Sequence, residues 1–336
     1  MTAPHKRRRL TALAAGTIAL LALLATSCSS TGGKPENTGG TMGAGTADTP
    51  RATIAMITHG APGNAFWDVV RRGAETAAAK DNIELRYSSD PQAPNQVNLV
   101  QSAIDSKVDG IAVTLAKPEA MAAGVRAALD AGIPVVGLNS GFDAWQDLGV
   151  QQYFGQDEKI AGQAAGKRLS DEGARRVLCI VHEQGNVSLE DRCAGITETL
   201  TGGTVEILNV NSQDIPSVEA ALTAKLQQDP SIDHIATLDS SIGHTAVQSK
   251  ATAGSDATIV TFGADPELVK EIQNGDVAWA NDQQPFLQGY LAVDSLWLYL
   301  NNRNTIGGGQ AVLTGPSFID KSNIDAVAEY VNNGTR

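Results

Sequence analysis

From Ala52 onward, short runs of apolar and β-branched residues alternate with amphipathic stretches. Runs rich in Ile, Val and Thr predict buried strands, whereas apolar residues that recur every three or four positions predict helices. This alternation is typical of parallel sheets whose strands are joined by right-handed helical crossovers. The predicted strands are Thr53–Thr58, Ile83–Ser88, Gly110–Leu115, Ile133–Leu138, Val177–Val181, Thr204–Val210, His234–Leu238 and Thr258–Phe262.

Helices are predicted between these strands, and the run Gly132-Ile133-Pro134 marks one helix end. Two half-chains, each with about four or five strand–helix units, predict an α/β protein with two doubly wound, Rossmann-like lobes. In such sheets ligands bind beyond the carboxyl ends of the strands, so the loops after each strand are the place to look. The predicted helices are Phe66–Lys80, Asn95–Ser106, Pro118–Ala131, Glu190–Leu200, Ser217–Gln228, Gly243–Ala253 and Pro266–Gln273.

These loops carry amides, a carboxylate, one guanidinium group and a pair of adjacent aromatic rings. Sugar hydroxyls both donate and accept hydrogen bonds, so amide, carboxylate and guanidinium side chains satisfy them, and their C–H faces pack on aromatic rings. We therefore expect a polyhydroxylated ligand. The candidate ligand-binding residues are Asn64, Phe66, Trp67, Asn139, Ser140, Asn186, Arg192, Asp239 and Gln283.

Several candidates also have a structural interpretation. Phe66 and Trp67 face about 100° apart on a helix, so one of them is expected to be a core residue. Asp239 is suited to cap the helix that follows it. His59 and His182 are further donors in the same loops, but isolated loop histidines are more often structural.

Arg192 has an alternative role as an ion-pair partner of Glu190 or Asp191. As a ligand-binding residue, its replacement by alanine is expected to remove binding and to leave the melting temperature of the unliganded protein nearly unchanged. A large fall in that temperature would instead identify Arg192 as a structural residue.

The amino terminus resembles an export signal. A basic run from Lys6 to Arg9 precedes the apolar stretch Leu10–Ala25, which is short for a membrane span of about 20 residues. The following Ala25-Thr26-Ser27-Cys28 resembles a bacterial lipobox, although Leu is commoner than Ala at its first position. We predict a signal peptide over 1–27, lipidation of Cys28 and a lipid-anchored protein on the extracytoplasmic face of the cell membrane. The alternative is an ordinary signal peptide with a chance cysteine.

Residues 28–51 are rich in Gly, Thr and Ser and predict a flexible tether that reaches roughly 25 Å. In an oxidising compartment the two remaining cysteines, Cys179 and Cys193, are candidates for a disulfide that closes a loop of about 15 residues. The alternative is two small buried apolar side chains.

Charge and motifs argue against other functional classes. With 25 Lys and Arg against 37 Asp and Glu, the formal net charge is -12, which disfavours nucleic-acid binding. The five histidines have no metal-ligand spacing, and no Gly-x-Ser-x-Gly motif is present. The segment from Gly162 to Lys167 is one residue short of a phosphate loop and predicts a small-residue helix face that packs on the sheet. We therefore expect no enzyme activity, no metal and no cofactor.

Five short motifs together resemble type I periplasmic substrate-binding proteins of ABC sugar importers, the group of ribose- and galactose-binding proteins. The resemblance covers roughly residues 52–319 and implies two Rossmann-like lobes, joined by a three-segment hinge, that close over one monosaccharide or polyol. The motifs are Asn64-x-Phe66-Trp67, Gly132-Ile133-Pro134-Val135-Val136 leading to Asn139, Gly155-Gln156-Asp157 followed by Ala161-Gly162, Arg192-x-x-Gly195, and Gln283-Gln284-Pro285.

The resemblance implies a role for each candidate residue. On the first lobe Phe66 and Trp67 would stack on the sugar beside Asn64, and Asn139 would grip hydroxyls. On the second lobe Asn186 and Arg192 match a polar pair at a helix start, and Asp239 and Gln283 match ligand positions after later strands.

Two departures from the family pattern concern ligand identity. Gly263 stands where the family commonly has an aspartate, and Asp265 lies two residues later. Ser140 stands where ribose binders carry arginine, which argues against ribose.

The resemblance also implies partners and lobe boundaries. An ABC permease and ATPase would receive the ligand, and the protein is expected to act as a monomer. The alternative is a sugar-sensing lipoprotein that reports to a membrane receptor or kinase. We expect residues 52–155 plus 285–312 to form the first lobe, and residues 156–284 plus 313–336 to form the second.

Overall fold

The computed structural model of the protein describes residues 45–336. The predicted signal peptide, the lipidation site at Cys28 and most of the predicted tether lie outside the described residues. Between residues 45 and 336, no helix has the length and apolar character needed to cross a membrane.

Strands and helices alternate along the described chain, as the hydrophobic pattern predicts. The strands are β1 (Ala52–Thr58), β2 (Ile83–Ser89), β3 (Gly110–Val113), β4 (Val135–Leu138), β5 (Tyr153–Gly155), β6 (Arg176–Val181), β7 (Thr204–Asn209), β8 (His234–Thr237), β9 (Thr258–Phe262), β10 (Trp279–Asp282), β11 (Val312–Leu313) and β12 (Ser317–Asp320). The helices are α1 (Ala65–Lys80), α2 (Ala93–Asp105), α3 (Pro118–Asp130), α4 (Glu158–Asp171), α5 (Val187–Thr199), α6 (Ile215–Gln228), α7 (Ser240–Ala253), α8 (Pro266–Asn274), α9 (Pro285–Asn302) and α10 (Ile324–Asn332).

The strands form two six-stranded sheets, one in each lobe. The first sheet has the order β11-β5-β4-β3-β1-β2 and is parallel throughout, with Ile54 of β1 opposite Leu85 of β2 and Gly110 of β3. The second has the order β12-β10-β9-β8-β6-β7, and only its edge strand β12 runs antiparallel to its neighbour. Both sheets therefore present the carboxyl ends of their parallel strands at one edge.

Helices cover both faces of each sheet. Successive residues of β1 point to opposite faces, so Ile54 and Met56 pack with helices α1 and α9 while Ala55 and Ile57 pack with α2 and α3. Helices α1 and α9 approach closely at Gly289, where a Cβ atom would lie 1.9 Å from the carbonyl oxygen of Val70. In the second lobe α4 and α5 cover one face, and α6, α7, α8 and α10 cover the other.

Three chain segments connect the lobes. They lie between β5 and α4, between β10 and α9, and between β11 and β12, because α9 returns to the first sheet and β12 joins the second. The structure confirms the predicted fold class, two doubly wound α/β lobes joined by a three-segment hinge.

The structure refines one helix face that the sequence predicted to pack on the sheet. Ala161 and Ala165 of α4 do pack in the core against the second sheet. Gly162 instead faces helix α5, where a Cβ atom would lie 2.2 Å from the carbonyl oxygen of Arg192. The small residues therefore also let two helices approach closely.

Candidate functional site

A cavity of about 390 Å³ lies between the lobes at the carboxyl ends of their strands. This is the edge at which open parallel sheets place their ligands. All nine residues that the sequence nominates line this cavity, together with His59 and His182. The loops after β1 and β4 contribute the residues of the first lobe, and the loops after β6, β8 and β10 contribute those of the second.

Three of the candidate residues are helix N-caps whose helices point at the cavity. The Oδ1 atom of Asn64 accepts from the backbone N–H of Phe66 at the start of α1, at 3.0 Å. Asn186 caps α5 and Asp239 caps α7 in the same way. Oδ1 of each side chain makes the capping bond, and the second polar atom contacts other side chains of the wall: Asn186 Nδ2 donates to Glu183 Oε2 at 2.9 Å, and Asn64 Nδ2 donates to Asp239 Oδ2. A carboxylate oxygen accepts more than one hydrogen bond, so Oδ2 of Asp239 retains acceptor capacity. The structural and ligand-binding roles of Asp239 are therefore compatible.

The two lobes contact each other across the cleft. Asn64 Nδ2 donates to Asp239 Oδ2 at 3.4 Å, and the backbone N–H of Val187 donates to the carbonyl oxygen of Ala116 at 3.0 Å. The two lobes therefore touch each other across the cleft beside the cavity.

A neutral histidine, His59, takes part in this contact between the lobes. Burial lowers the pKa of His59 and that of His182, so both imidazoles are uncharged at neutral pH. Neutral His59 accepts at Nε2 from Asn186 Nδ2 across the cleft, at 3.3 Å. The uncharged ring of His59 thus links the two lobes. This is the structural role that the sequence analysis gave as the alternative to ligand binding.

The aromatic pair does not present two parallel faces. Phe66 and Trp67 have ring centroids 5.1 Å apart at an interplanar angle of 86°. Phe66 belongs to the core of the first lobe, whereas Trp67 is partly exposed and lies over Gly60, where a Cβ atom would be 2.5 Å from the indole Cγ. A flat ligand can therefore lie parallel to only one of the two rings. The prediction that both rings stack on the ligand is reduced to stacking on one ring.

Asn139 and Gln283 join the first lobe to the hinge. Asn139 Nδ2 donates to Oε1 of Gln283 at 3.0 Å and to Oε1 of Gln288 at 3.2 Å, and its Oδ1 accepts from Ser140 Oγ at 2.8 Å. Asn139 has φ +65°, a left-handed conformation that asparagine tolerates better than most residues. The candidate residues at this end of the cavity are thus linked to one another before any ligand is considered.

The partner of Arg192 is Glu158, and not the neighbouring Glu190 or Asp191. Arg192 Nε and Nη2 donate to the two carboxylate oxygens of Glu158 at 2.6 and 2.8 Å, and Nη1 donates to the carbonyl oxygen of Leu238 at 2.8 Å. Only 4% of Arg192 and 2% of Glu158 are exposed. Removing the arginine would leave a buried carboxylate without a counter-charge, so Arg192→Ala is not expected to leave the melting temperature unchanged.

A disulfide holds the helix that carries Arg192. Cys193 of α5 is joined to Cys179 of β6, with a Cα–Cα distance of 6.0 Å, and both side chains are fully buried. The bond connects the helix, at the residue next to Arg192, to strand β6, which lies between β7 and β8 in the second sheet.

Asp265 does not take the place of the aspartate that Gly263 replaces. Gly263 lines the cavity, but Asp265 is absent from its wall within the described part of the chain. Its carboxylate caps α8 by accepting from the backbone N–H groups of Glu267 and Leu268, and it accepts from His244 Nε2 at 2.9 Å.

His244 lies between two carboxylates behind the cavity wall. Its Nδ1 donates to Glu271 at 2.8 Å, while Nε2 donates to Asp265. Burial alone would lower the pKa of His244, but these two hydrogen bonds outweigh it and raise the pKa to about 10. Burial alone would raise the pKa of Asp265, but the hydrogen bond from His244 helps to lower it to about 2. Both nitrogens of a protonated imidazole are thus engaged as donors.

The contribution of His244 to the free energy of unfolding should therefore decrease as the pH rises. The folded pKa of about 10 lies above the ordinary value of 6.5, so the contribution is complete below pH 6.5 and is lost as the pH rises towards 10. We expect the difference in free energy of unfolding between wild type and His244→Gln to be largest near pH 6 and to shrink in alkaline solution. Urea unfolding across this range measures it, and a constant difference would contradict the raised pKa.

Several cavity residues were not nominated from the sequence. Lys117, Glu183 and Phe262 line the cavity, as does the polar run Asn211-Ser212-Gln213. Each lies at or just after the carboxyl end of a strand, so the rule that located the other residues also applies to them. Glu158 begins α4 three residues after β5, but nothing in the sequence indicates that its carboxylate pairs with Arg192.

Comparison with known proteins gives one family match over most of the chain. A sequence profile described as periplasmic binding protein domain matches residues 54–304. The crystal structure of a carbohydrate transporter from Acidothermus cellulolyticus 11B, in complex with myo-inositol, is 52% identical, covers 85% of this chain and 100% of its own, and superimposes with a TM-score of 0.84.

Two more distant proteins are similar in sequence. A xylose/arabinose-binding protein of Sulfolobus acidocaldarius is 25% identical over 294 residues, which is 82% of this chain and 72% of the relative. A D-ribose/D-allose-binding protein of Pseudomonas aeruginosa is 25% identical over 236 residues, which is 65% of this chain and 72% of that protein.

Proposed function

Because the chain belongs to the periplasmic binding protein domain family, we propose that it is the substrate-binding component of an ABC transporter. In this role it captures a monosaccharide or polyol between its lobes and delivers it to a membrane permease. The protein is a binding protein and not an enzyme. The relatives that resemble it are also sugar-binding proteins. Capture requires closure of the lobes but no covalent chemistry.

The observation that carries this proposal is the convergence of complementary polar atoms on one cavity between the lobes. Asn64, Asn186 and Asp239 line the cavity with side chains that are already oriented by capping bonds and by each other, and Arg192 adds the two N–H groups that Glu158 and Leu238 do not use. Trp67 supplies an aromatic surface in the same cavity. Donors and acceptors at opposite walls suit a ligand that carries hydroxyl groups around a ring, each of which donates and accepts.

Within this class we propose an uncharged cyclic polyol of the inositol type as the ligand. The support is the 52% identity to a transporter whose structure contains myo-inositol. Hydrogen bonds at about 0.5–1.5 kcal/mol each and packing on one ring contribute to binding, and micromolar affinity corresponds to roughly −8 kcal/mol.

A thermal-shift panel tests the proposed function. The purified protein is heated with myo-inositol, other cyclic and linear polyols, hexoses and pentoses. A ligand at 100 times its dissociation constant stabilises the folded state by about 2.7 kcal/mol, which corresponds to a rise of roughly 5–10 °C. We expect the largest shift with myo-inositol or a close isomer. A folded sample that shows no shift with any compound would contradict a carbohydrate ligand.

Anchoring and lobe boundaries complete the proposal. The lipobox-like Ala25-Thr26-Ser27-Cys28 supports lipidation of Cys28, and transfer of a Cys28→Ala variant from the membrane to the soluble fraction tests it. We propose the boundaries 52–155 plus 285–312 and 156–284 plus 313–336. The placement of β10 in the second sheet, of α9 against the first and of β12 in the second supports these crossings, while Leu313, the last residue of β11, still pairs with Gly155 in the first sheet.

A further inference from the structure

A carboxylate outside the cavity wall neutralises Arg192, the one arginine that the described residues place in that wall. Glu158 is the first residue of α4, directly after the first hinge segment, and it is not among the residues that line the cavity in the described part of the chain. Its oxygens accept from Arg192 Nε and Nη2 and from Gln156 Nε2, the last at 2.8 Å. A carboxylate with three donors, at 2% exposure, is fixed in place.

These contacts also fix the guanidinium group of Arg192. Three of its five N–H groups are used inside the protein, two by Glu158 and one by the carbonyl oxygen of Leu238. The ring of Phe262 covers one face, with its centroid 4.8 Å from Arg192 Cζ. Two N–H groups remain for the cavity, one on each terminal nitrogen. Arg192 therefore offers directed donors in a single orientation.

Stability alone does not explain such a pair. Replacing a buried ion pair by apolar side chains of similar volume is often neutral or stabilising, because both charges must be removed from water. Arginine stays protonated at any physiological pH, so a buried Arg192 without a partner would be a permanent cation in the wall and would attract anionic ligands. With Glu158 beside it, the same donors carry no net charge.

We propose that Glu158 is a positioning residue that holds Arg192 in place and cancels its charge, so that the cavity selects uncharged polyols over anionic sugars. The inference rests on the proposed function and names the device by which the site rejects charge. Lys117, Glu183 and Asp239 also carry charge in the cavity wall. They are unchanged in every variant below, so a ratio of two affinities isolates the contribution of Glu158.

The test compares Glu158→Gln with wild type by calorimetric titration at low salt. The two probes are myo-inositol and D-glucuronate, a neutral and an anionic six-membered ring. Exposing a unit charge in a partly buried site should shift the ratio of their dissociation constants towards glucuronate on the order of 10- to 100-fold. A folded variant whose ratio stays within about 3-fold of wild type would overturn the proposal.

Two matched variants separate this role from a merely structural one. Glu158→Asp keeps the carboxylate and should keep a ratio close to wild type, even if both affinities fall. Glu198→Gln removes an equal charge from the same helix as Arg192, where the exposed Glu198 pairs with Lys159 at 3.2 Å, and it should leave the ratio unchanged. An equal shift in Glu198→Gln would assign the effect to overall charge and overturn the proposal.

A charge-free double variant keeps the proposal testable if Glu158→Gln does not fold. Glu158→Leu combined with Arg192→Met replaces the buried pair by apolar groups. Because both charges are gone, the ratio should stay near wild type while both affinities fall. If the double variant instead loses 10-fold more affinity for glucuronate than for myo-inositol, Arg192 must attract anions in the wild type even when it is paired with Glu158. That result would overturn the proposal. If wild type binds neither probe nor any sugar, the proposed function fails instead.

Discussion

Replacing Arg192 with alanine is expected to weaken ligand binding by about 10- to 100-fold and to lower the free energy of unfolding by about 3–5 kcal/mol. The first effect follows from the loss of the directed N–H donors in the cavity. The second follows from Glu158, which is 2% exposed and would keep only Gln156 as a hydrogen-bond partner. An isolated buried carboxylate is strongly unfavourable unless it takes up a proton.

Urea unfolding of the unliganded variant measures this loss, and the melting temperature should fall by roughly 6–20 °C. Arg126→Ala is a matched control, since Arg126 is exposed on α3 and forms no ion pair in the described structure. It should change neither binding nor melting. An Arg192→Ala protein that melts with wild type would mean that Glu158 does not depend on its arginine.

Removing the disulfide is expected to cost about 3 kcal/mol, because Cys179 and Cys193 are 14 residues apart and their bond limits the unfolded chain. The double variant Cys179→Ala/Cys193→Ala should therefore melt roughly 6–12 °C below wild type. The two cysteines are fully buried, so part of the loss also reflects two small cavities.

Reductant provides the control for this variant. Dithiothreitol should lower the melting temperature of wild type towards that of the double variant and should not affect the double variant itself. Because the bond fixes α5, the helix that carries Arg192, to strand β6, ligand affinity should weaken in parallel. Equal melting of oxidised and reduced wild type would show that the bond contributes nothing to stability.

Most secondary structure was predictable because it depends on local periodicity. Strand β9 has the predicted bounds, and β1 begins one residue earlier than predicted. Helix starts were less accurate: α5 begins at Val187 and α7 at Ser240, three residues before the predicted starts. The side chains of Asn186 and Asp239 were interpreted as ligand contacts, although they also cap these helices. Asn and Asp suit both helix capping and hydrogen bonding to a ligand, so the sequence alone did not separate the two roles.

The location of the site was predictable for a topological reason. Residues after parallel strands meet at one edge of a sheet whatever the details of packing, so Asn64, Asn139 and Asp239 converge although they are far apart in sequence. Sequence spacing predicts such convergence but not which atoms remain available. The 86° angle between Phe66 and Trp67 depends on how their helix packs.

By itself the sequence determined the alternation of strands and helices, the two-lobed fold and the loops that form the cavity, because each depends on local pattern and on the geometry of parallel sheets. Only the tertiary structure decided that Arg192 pairs with Glu158, 34 residues away, and that Asp265 binds His244 instead of facing the cavity. The physical reason is burial. Glycines such as Gly162 bring α4 and α5 together, and a buried charge then takes the partner that packing places beside it and not its neighbour in sequence.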